Sequence, residues 1–203
     1  MVFLEKSVVY DSNKKNLMSL GQKIFDGEIV IFPTETVYGI GASLFNEIAI
    51  NKIYKLKNCS NSSPLIIHCL GVHDSKHYID LNPIEENIFN KLLEKYSPGP
   101  IIYLCKASNF VPKYMLKNNN YVSIRISENK VFRDLLQYSN VPICASSANI
   151  ANKTSSTCIE HVNKYYEHRD VNIINDDNYV CKHGIESTIV KIDNNILTIM
   201  RQG

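Results

Sequence analysis

The chain has 203 residues and a mass of 23.1 kDa, with 44% hydrophobic and 21% charged residues and a formal net charge of +2 at pH 7. This composition is that of ordinary globular proteins, which excludes a disordered chain, and its apolar runs are too short to span a bilayer. The small net charge does not require a nucleic acid as partner. We therefore predict one large domain covering residues 1–203.

Cysteine usage and the N-terminal sequence bear on the cellular compartment. The six cysteines show no C-x-x-C spacing, which favours reduced thiols over disulfides or a zinc site. Glu5 and Lys6 interrupt the stretch where a signal peptide would need its apolar core. The sequence thus predicts a cytoplasmic protein without a metal site. His73 and His77 have a helical metal-ligand spacing, but no third ligand follows, and surface positions are predicted for them.

Alternating and helical apolar patterns divide the chain into short elements. Strands are predicted at residues 8–10, 28–32, 64–70, 101–106, 121–126, 141–145 and 171–174, and a terminal hairpin at 184–192 with 196–200. Helices are predicted from a Ser12 N-cap to residue 25, and at 46–57, 83–96, 130–138 and 159–168. This mixture predicts an α/β fold, a single-domain twisted mixed sheet flanked by helices.

Two of the predicted strands end in runs of small polar residues. After the 28–32 strand, Pro33 cannot continue a sheet ladder, and Gly39 and Gly41 permit close backbone approach. The loop between them carries Thr34, Glu35, Thr36 and Tyr38. The second run, which follows the 141–145 strand, is Ser146-Ser147-Ala148-Asn149. Because open α/β sheets bind ligands beyond strand ends, both loops are predicted to face one crevice; tight turns with scattered hydroxyls are the alternative.

Three further residues have both a structural and a functional interpretation. Arg125 lies on the polar face of an alternating strand, which by itself indicates a surface arginine. His68 stands in an apolar strand, where a core histidine satisfied by its neighbours is the commoner case. Lys57 follows a helix end rich in lysine, where the helix dipole favours cations. None of these features alone identifies a function.

Five separated motifs occur together in one order. They are PTETVYG at 33–39, Lys57 with PLIIH at 64–68, SPGP at 97–100, SAN at 147–149, and ESTIV at 186–190 with Arg201. In their order and spacing the chain resembles the YrdC-like L-threonylcarbamoyladenylate synthases, from about residue 8 to residue 203. The resemblance implies the YrdC-like fold in its short, single-domain form.

The same resemblance implies an activity. The family makes L-threonylcarbamoyladenylate from L-threonine, bicarbonate and ATP, releasing pyrophosphate, and Mg²⁺ is expected with the nucleotide. The product supplies the threonylcarbamoyladenosine modification of tRNA. Transient contact with tRNA or tRNA-modification proteins, no membrane association, and a monomer or weak homodimer are expected. Two alternatives stay open: an RNA-binding module of this fold without catalysis, and a carbamoyl-transfer domain like those of hydrogenase maturation proteins.

Site residues carry over from the family position by position. For L-threonine the resemblance implies Thr36, His68, Arg125, Ala145 through its backbone, and Ser187. For ATP it implies Lys57, Cys59, Ser63, Tyr121, Ser147, Asn149, Ser155 and Arg201. Arg125 would grip the threonine carboxylate and Lys57 would neutralise phosphate charge, and these are the two catalytic assignments. Cys59 replaces the arginine of the family's Lys-x-Arg, and Ser63 replaces an asparagine, both on the nucleotide side.

Overall fold

The computed structural model describes residues 6–59, 64–116 and 119–203. These parts of the chain contain ten strands and seven helices. The strands are β1 (Val8–Asp11), β2 (Val30–Phe32), β3 (Gly39–Ser43), β4 (Ile66–His68), β5 (Ile101–Lys106), β6 (Tyr121–Arg125), β7 (Ile143–Ser147), β8 (Asn172–Asn175), β9 (Thr188–Asp193) and β10 (Ile196–Arg201). The helices are α1 (Lys14–Phe25), α2 (Glu47–Leu56), α3 (Val72–Lys76), α4 (Pro83–Tyr96), α5 (Lys113–Leu116), α6 (Lys130–Ser139) and α7 (Ile159–Tyr166). None of these helices is long and apolar enough to cross a membrane.

All ten strands of the described ranges join one sheet. Their order is β1-β8-β2-β3-β7-β4-β6-β5-β9-β10. Four neighbouring pairs are parallel, namely β1/β8, β2/β8, β4/β6 and β5/β9, and the others are antiparallel. The predicted mixed sheet flanked by helices is therefore confirmed.

The central strands of the sheet carry buried apolar side chains on both faces. Successive residues of a strand point to opposite faces, and Ile31 packs in one core cluster while Val30 and Phe32 pack in another. The cluster around Phe32 includes apolar side chains of α1 and α6. The cluster around Ile31 includes those of α2, α4 and α7. Helices thus close the sheet on two sides, so the crevice at the strand ends is the region left for a ligand.

Helix α1 differs from its prediction at the N-terminus. Asn13 is the N-cap, and its side chain accepts a hydrogen bond from the Asn16 N–H at 3.0 Å. The predicted cap, Ser12, instead donates to Asp176 Oδ1 at 2.8 Å, which ties the helix start to the loop after β8. The cap was misplaced because a serine hydroxyl can satisfy either a helix end or a distant carboxylate.

Strand β3 was not predicted, because its sequence Gly-Ile-Gly-Ala-Ser suggests a loop. The structure places it between β2 and β7, with all five residues buried. Its glycines are required by close packing: a Cβ on Gly39 would lie 2.5 Å from the Phe32 ring, and one on Gly41 would lie 2.9 Å from Ile143 Cγ2. Glycine within a strand marks such an approach, and here it lets the ring of Phe32 lie flat against the neighbouring strand.

Candidate functional site

Several strand ends meet at one cavity of about 320 Å³. The loop after β2, the ends of β4 and β6, strand β7 and the segment before β9 all contribute to its wall. Its polar lining comprises Thr34, Thr36, Tyr38, His68, Ser123, Arg125, Ser146, Ser147, Glu186, Ser187 and Arg201. Both loops that the sequence placed at one crevice therefore line the same cavity.

Arg125 and Glu35 form a buried ion pair beside this cavity. Arg125 Nη2 donates to Glu35 Oε1 at 2.8 Å, and the two side chains are 5% and 2% exposed. The Ser127 hydroxyl donates to the other carboxylate oxygen, and the His183 N–H donates to the Glu35 carbonyl at 2.9 Å. Burial alone would raise the pKa of Glu35, but the Arg125 charge and the Ser127 hydrogen bond outweigh it and lower the pKa below its ordinary value. Glu35 is therefore ionised at neutral pH.

One donor of Arg125 remains available to a ligand. Its Nε is buried, and within the described parts of the chain no acceptor lies in hydrogen-bond distance. Buried polar groups in native proteins are nearly always paired, so an unpaired buried donor that lines a cavity indicates a ligand acceptor. A carboxylate suits it, because charge-assisted hydrogen bonds to a guanidinium are among the strongest in proteins.

Thr36 presents a hydrogen-bond acceptor to the cavity. The Thr34 hydroxyl donates to the Val37 carbonyl at 2.6 Å, which uses its only proton. It lies 3.0 Å from the Thr36 hydroxyl, so Thr36 must donate in that contact. Only the lone pairs of Thr36 then remain, and they suit an ammonium or hydroxyl donor on a ligand.

His68 is a neutral, partly unsatisfied imidazole. It packs edge-on against Phe132 with ring centroids 4.8 Å apart. Burial, assisted by the charge of Arg125, lowers the pKa of His68 to about 3. Its Nδ1 has no hydrogen-bond partner among the described residues. The alternative of a core histidine satisfied by its neighbours is therefore wrong for Nδ1, which is left for a ligand.

Ser187 and Arg201 form another part of the cavity wall. Both Nε and Nη2 of Arg201 donate to the Ser187 carbonyl, at 3.0 and 2.8 Å. The Ser187 hydroxyl is buried and has no partner within the ranges that the structure describes. Next to it, Glu186 accepts a hydrogen bond from the Ser155 hydroxyl. Arg201 is an exposed residue that lines the cavity, and its guanidinium is held by the Ser187 carbonyl, so it is a candidate for binding phosphate.

Lys57 supports the second strand-end loop. Its ammonium donates to the Asn149 carbonyl and to Asn149 Oδ1, at 3.0 and 2.9 Å, and also to the Ser147 carbonyl. Burial lowers the pKa of Lys57 to about 8, against the opposing charges of Cys59 and Glu186. At neutral pH the ammonium is still protonated, as three acceptor contacts require. Lys57 therefore holds the loop that carries Ser147 and does not itself line the cavity among the residues described.

The structure brings most of the sequence-predicted site residues together. Seven line the cavity, namely Thr36, His68, Arg125, Ala145, Ser147, Ser187 and Arg201. Three more contact lining residues: Lys57 and Asn149 hydrogen-bond to Ser147, and Ser155 hydrogen-bonds to Glu186. Two lie apart: Tyr121 packs under Lys191 Nζ, which is 4.0 Å from its ring centroid, and Cys59 contacts the Tyr54 carbonyl. Ser63 lies outside the described residues. All of the threonine and nucleotide assignments stay predictions, including those of Tyr121, Cys59 and Ser63.

Sequence reasoning missed Glu35, Ser127 and Glu186 as site residues. Glu35 was recognised only as one member of the polar loop, and Glu186 only as part of a motif. The signal that could have found Glu35 is its position as the only carboxylate among hydroxyls in a strand-end loop. Ser127 offered no signal, since a single serine after a strand is common. Within the described chain, no group of three or more His, Cys, Asp or Glu residues is placed to hold a metal ion.

Comparison with known sequences decides the family. The Sua5/YciO/YrdC family model, described as "Telomere recombination", matches residues 22–203. The chain belongs to this family. It is 32% identical over 193 residues to a Methanocaldococcus jannaschii protein provisionally named threonylcarbamoyl-AMP synthase. The aligned region covers 95% of this chain and 88% of that protein. The resemblance drawn from the five motifs is confirmed.

Other relatives are longer than this member of the Sua5/YciO/YrdC family. A Bacillus subtilis threonylcarbamoyl-AMP synthase is 30% identical over 203 residues, with 99% of this chain and 57% of that protein covered. The crystal structure of Pyrococcus abyssi Sua5 complexed with L-threonine matches with a TM-score of 0.89 at 27% identity, covering 96% of this chain and 57% of that one. Escherichia coli YciO, at 16% identity and a TM-score of 0.83, shares the fold. The chain thus spans little more than half of the Bacillus and Pyrococcus proteins.

Proposed function

We propose that this chain synthesises L-threonylcarbamoyladenylate from L-threonine, bicarbonate and ATP. The observation that carries the proposal is the cavity itself, which presents four polar groups suited to an amino acid. These are the buried donor of Arg125, the acceptor oxygen of Thr36, the neutral imidazole of His68 and the unpartnered hydroxyl of Ser187. Relatives of similar sequence carry the name of this activity, and one was crystallised with L-threonine.

The chemistry requires no covalent intermediate on the protein. The threonine amine and bicarbonate combine to a carbamate with loss of water, and a carbamate oxygen attacks the α-phosphorus of ATP while pyrophosphate leaves. The protein's contribution is to hold both reactants in line and to stabilise charge. In this proposal Arg125 binds the threonine carboxylate, and Arg201 binds phosphate.

Mg²⁺ enters this proposal as part of the nucleotide. It binds mainly through substrate phosphates and water, with few protein ligands. Glu186 lines the cavity near Arg201 and is the carboxylate placed to support a hydrated ion, although Ser155 already donates to it. We place the chain, residues 1–203, as one catalytic domain that acts in the cytoplasm and passes its product to tRNA modification.

Pyrophosphate release tests the proposal. Purified protein with ATP, Mg²⁺, bicarbonate and L-threonine is expected to release pyrophosphate, and omission of either threonine or bicarbonate should abolish the signal. Such dual dependence also separates this activity from RNA binding and from carbamoyl transfer. Release that is equally fast without threonine would show that the assignment is wrong.

Cys59 gives a second test, on the nucleotide side. It stands where the family has an arginine, so Cys59→Arg should restore a charge-assisted contact and tighten ATP binding by about tenfold if this segment meets the triphosphate. Lys55→Ala is the companion variant, because Lys55 could already supply that charge from the end of α2. Calorimetric titration of ATP into wild type and both variants shows whether Cys59→Arg adds a phosphate contact or Lys55 already supplies it. An unchanged ATP affinity in both variants would remove the segment, and Cys59 with it, from the nucleotide site.

A further inference from the structure

Two arginines and two glutamates lie in or beside the cavity wall. Arg125 is ion-paired with the buried Glu35, and Arg201 and Glu186 both line the cavity. His68 adds no charge, because its imidazole is neutral. Among the described residues, the other cation that contacts the lining is Lys57, which lies outside the cavity. It donates to the carbonyls of Ser147 and Asn149 at the end of β7, away from Arg125 and His68 on β6 and β4. The threonine end of the cavity is therefore close to electrically neutral.

This neutrality depends on Glu35. A guanidinium that is 5% exposed, without a counter-charge, would attract any small anion strongly, because few water dipoles screen it. The carboxylate of Glu35 compensates this positive charge, with its Oε1 2.8 Å from Nη2 of Arg125. Its two carboxylate oxygens are taken by Arg125 and Ser127, and it does not belong to the cavity lining. Glu35 thus sets the charge of the site without offering an atom to the ligand.

We propose that Glu35 is a specificity-determining residue, which neutralises Arg125 so that the cavity admits a zwitterionic amino acid and rejects simple anions. The inference rests on the proposed function, since it concerns the threonine site. A zwitterion brings an ammonium that the acceptor-only oxygen of Thr36 can bind while its carboxylate takes the free Nε of Arg125. Sulfate and phosphate have no ammonium group to bind Thr36, and the negative charge of Glu35 repels them.

Selectivity against anions would keep the phosphates of ATP and pyrophosphate out of the threonine site. ATP and pyrophosphate are polyanions that share one cavity with the amino acid in the proposed reaction. An uncompensated Arg125 would compete with Arg201 for their phosphates and draw them into the threonine end. Like-charge repulsion against a wrong ligand is a common means of specificity.

The test measures anion competition with L-threonine. Threonine is titrated calorimetrically into wild type, Glu35→Gln, Glu35→Asp and Glu86→Gln, with and without millimolar sulfate at constant ionic strength. Glu35→Gln keeps the shape and removes the charge, Glu35→Asp keeps the charge, and Glu86→Gln is the matched control from an exposed ion pair. Sulfate should weaken threonine binding about tenfold or more in Glu35→Gln alone.

Three outcomes would overturn the proposal. Sulfate sensitivity in Glu35→Gln no greater than in wild type shows that the charge of Glu35 does not select the ligand. Equal sensitivity in Glu35→Asp and Glu35→Gln shows that Glu35 acts through geometry alone. If sulfate competes with threonine in wild type, the proposal is wrong, because Glu35 then does not exclude simple anions. This measurement needs only wild type, so it can be made even if Glu35→Gln does not fold.

A direct readout separates this inference from the proposed function. Sulfate alone should raise the Tm of Glu35→Gln more than that of wild type or Glu86→Gln, because a ligand that binds the folded state stabilises it. If wild type fails to bind threonine, the proposed function fails. The sulfate-dependent Tm still decides the role of Glu35, and equal shifts in all proteins contradict it.

Discussion

Arg125→Met is expected to lower the free energy of unfolding by about 3–5 kcal/mol, because it leaves the Glu35 carboxylate buried without its counter-charge. The two side chains are 5% and 2% exposed, so water cannot replace the lost partner. Threonine binding should be lost in the same variant. Urea unfolding followed by circular dichroism measures the first effect, and calorimetry measures the second.

The double variant Glu35→Gln/Arg125→Met separates folding from recognition. Removing both charges of a buried pair is often nearly neutral for stability, so most of the loss should be recovered. Threonine binding should remain absent, since the carboxylate has no guanidinium to meet. A matched exposed pair, Lys182 with Glu128, serves as control, and Lys182→Met should have no measurable effect on stability. A double variant as unstable as Arg125→Met would contradict the assignment of the loss to an unpaired Glu35.

The same pair predicts a dependence on pH. The folded-state pKa of Glu35 lies below its ordinary value of 4.5, so its contribution to stability is fully present above that pH. It is lost as the pH falls through the lower, folded-state pKa. As the pH falls, the stability of wild type should therefore decrease relative to that of the double variant, which has no carboxylate at position 35. Urea unfolding at a series of pH values below neutrality measures the difference, and a constant difference would be evidence against ionised Glu35.

Lys57→Met is expected to cost about 2–3 kcal/mol and to weaken ATP binding, although Lys57 does not line the cavity among the described residues. Met conserves most of the volume but cannot donate to the Ser147 and Asn149 carbonyls, which then lose a buried partner. The loop that carries Ser147 should loosen in consequence. Lys130→Met, which removes an exposed lysine, should change neither property.

A double-mutant cycle tests whether Lys57 acts through Asn149. Lys57 Nζ lies 2.9 Å from Asn149 Oδ1, and Ser147 Oγ donates to the same oxygen at 2.8 Å. Lys57→Met, Asn149→Ala and the double variant should therefore show non-additive losses in ATP affinity, because the residues form one network. Strictly additive losses would indicate that Lys57 meets the phosphate by itself, as the family resemblance implies.

The sequence by itself determined the elements whose signals are local. Helix α4 follows from its apolar spacing, and the structure adds the capping box that Asn82 and Glu85 form at its start. Strand β6 follows from alternation, which placed Arg125 on one face of the sheet. The five motifs determined the family, since their order along the chain is itself a sequence property. Periodicity and motif order need no knowledge of what each element packs against.

Only the tertiary structure decided the contacts between segments far apart in the chain. Arg125 and Glu35 are separated by 90 positions, and so are Lys57 and Ser147. Alternation states which face a side chain occupies, but the strand order decides which neighbour it meets there. Strand β3 was not predicted for the same reason. Its glycines are required by the close approach of the Phe32 ring and of Ile143, and not by the residues next to them in the sequence. The charge balance of the cavity, set by Glu35, exists only once the sheet has brought β6 beside the loop after β2.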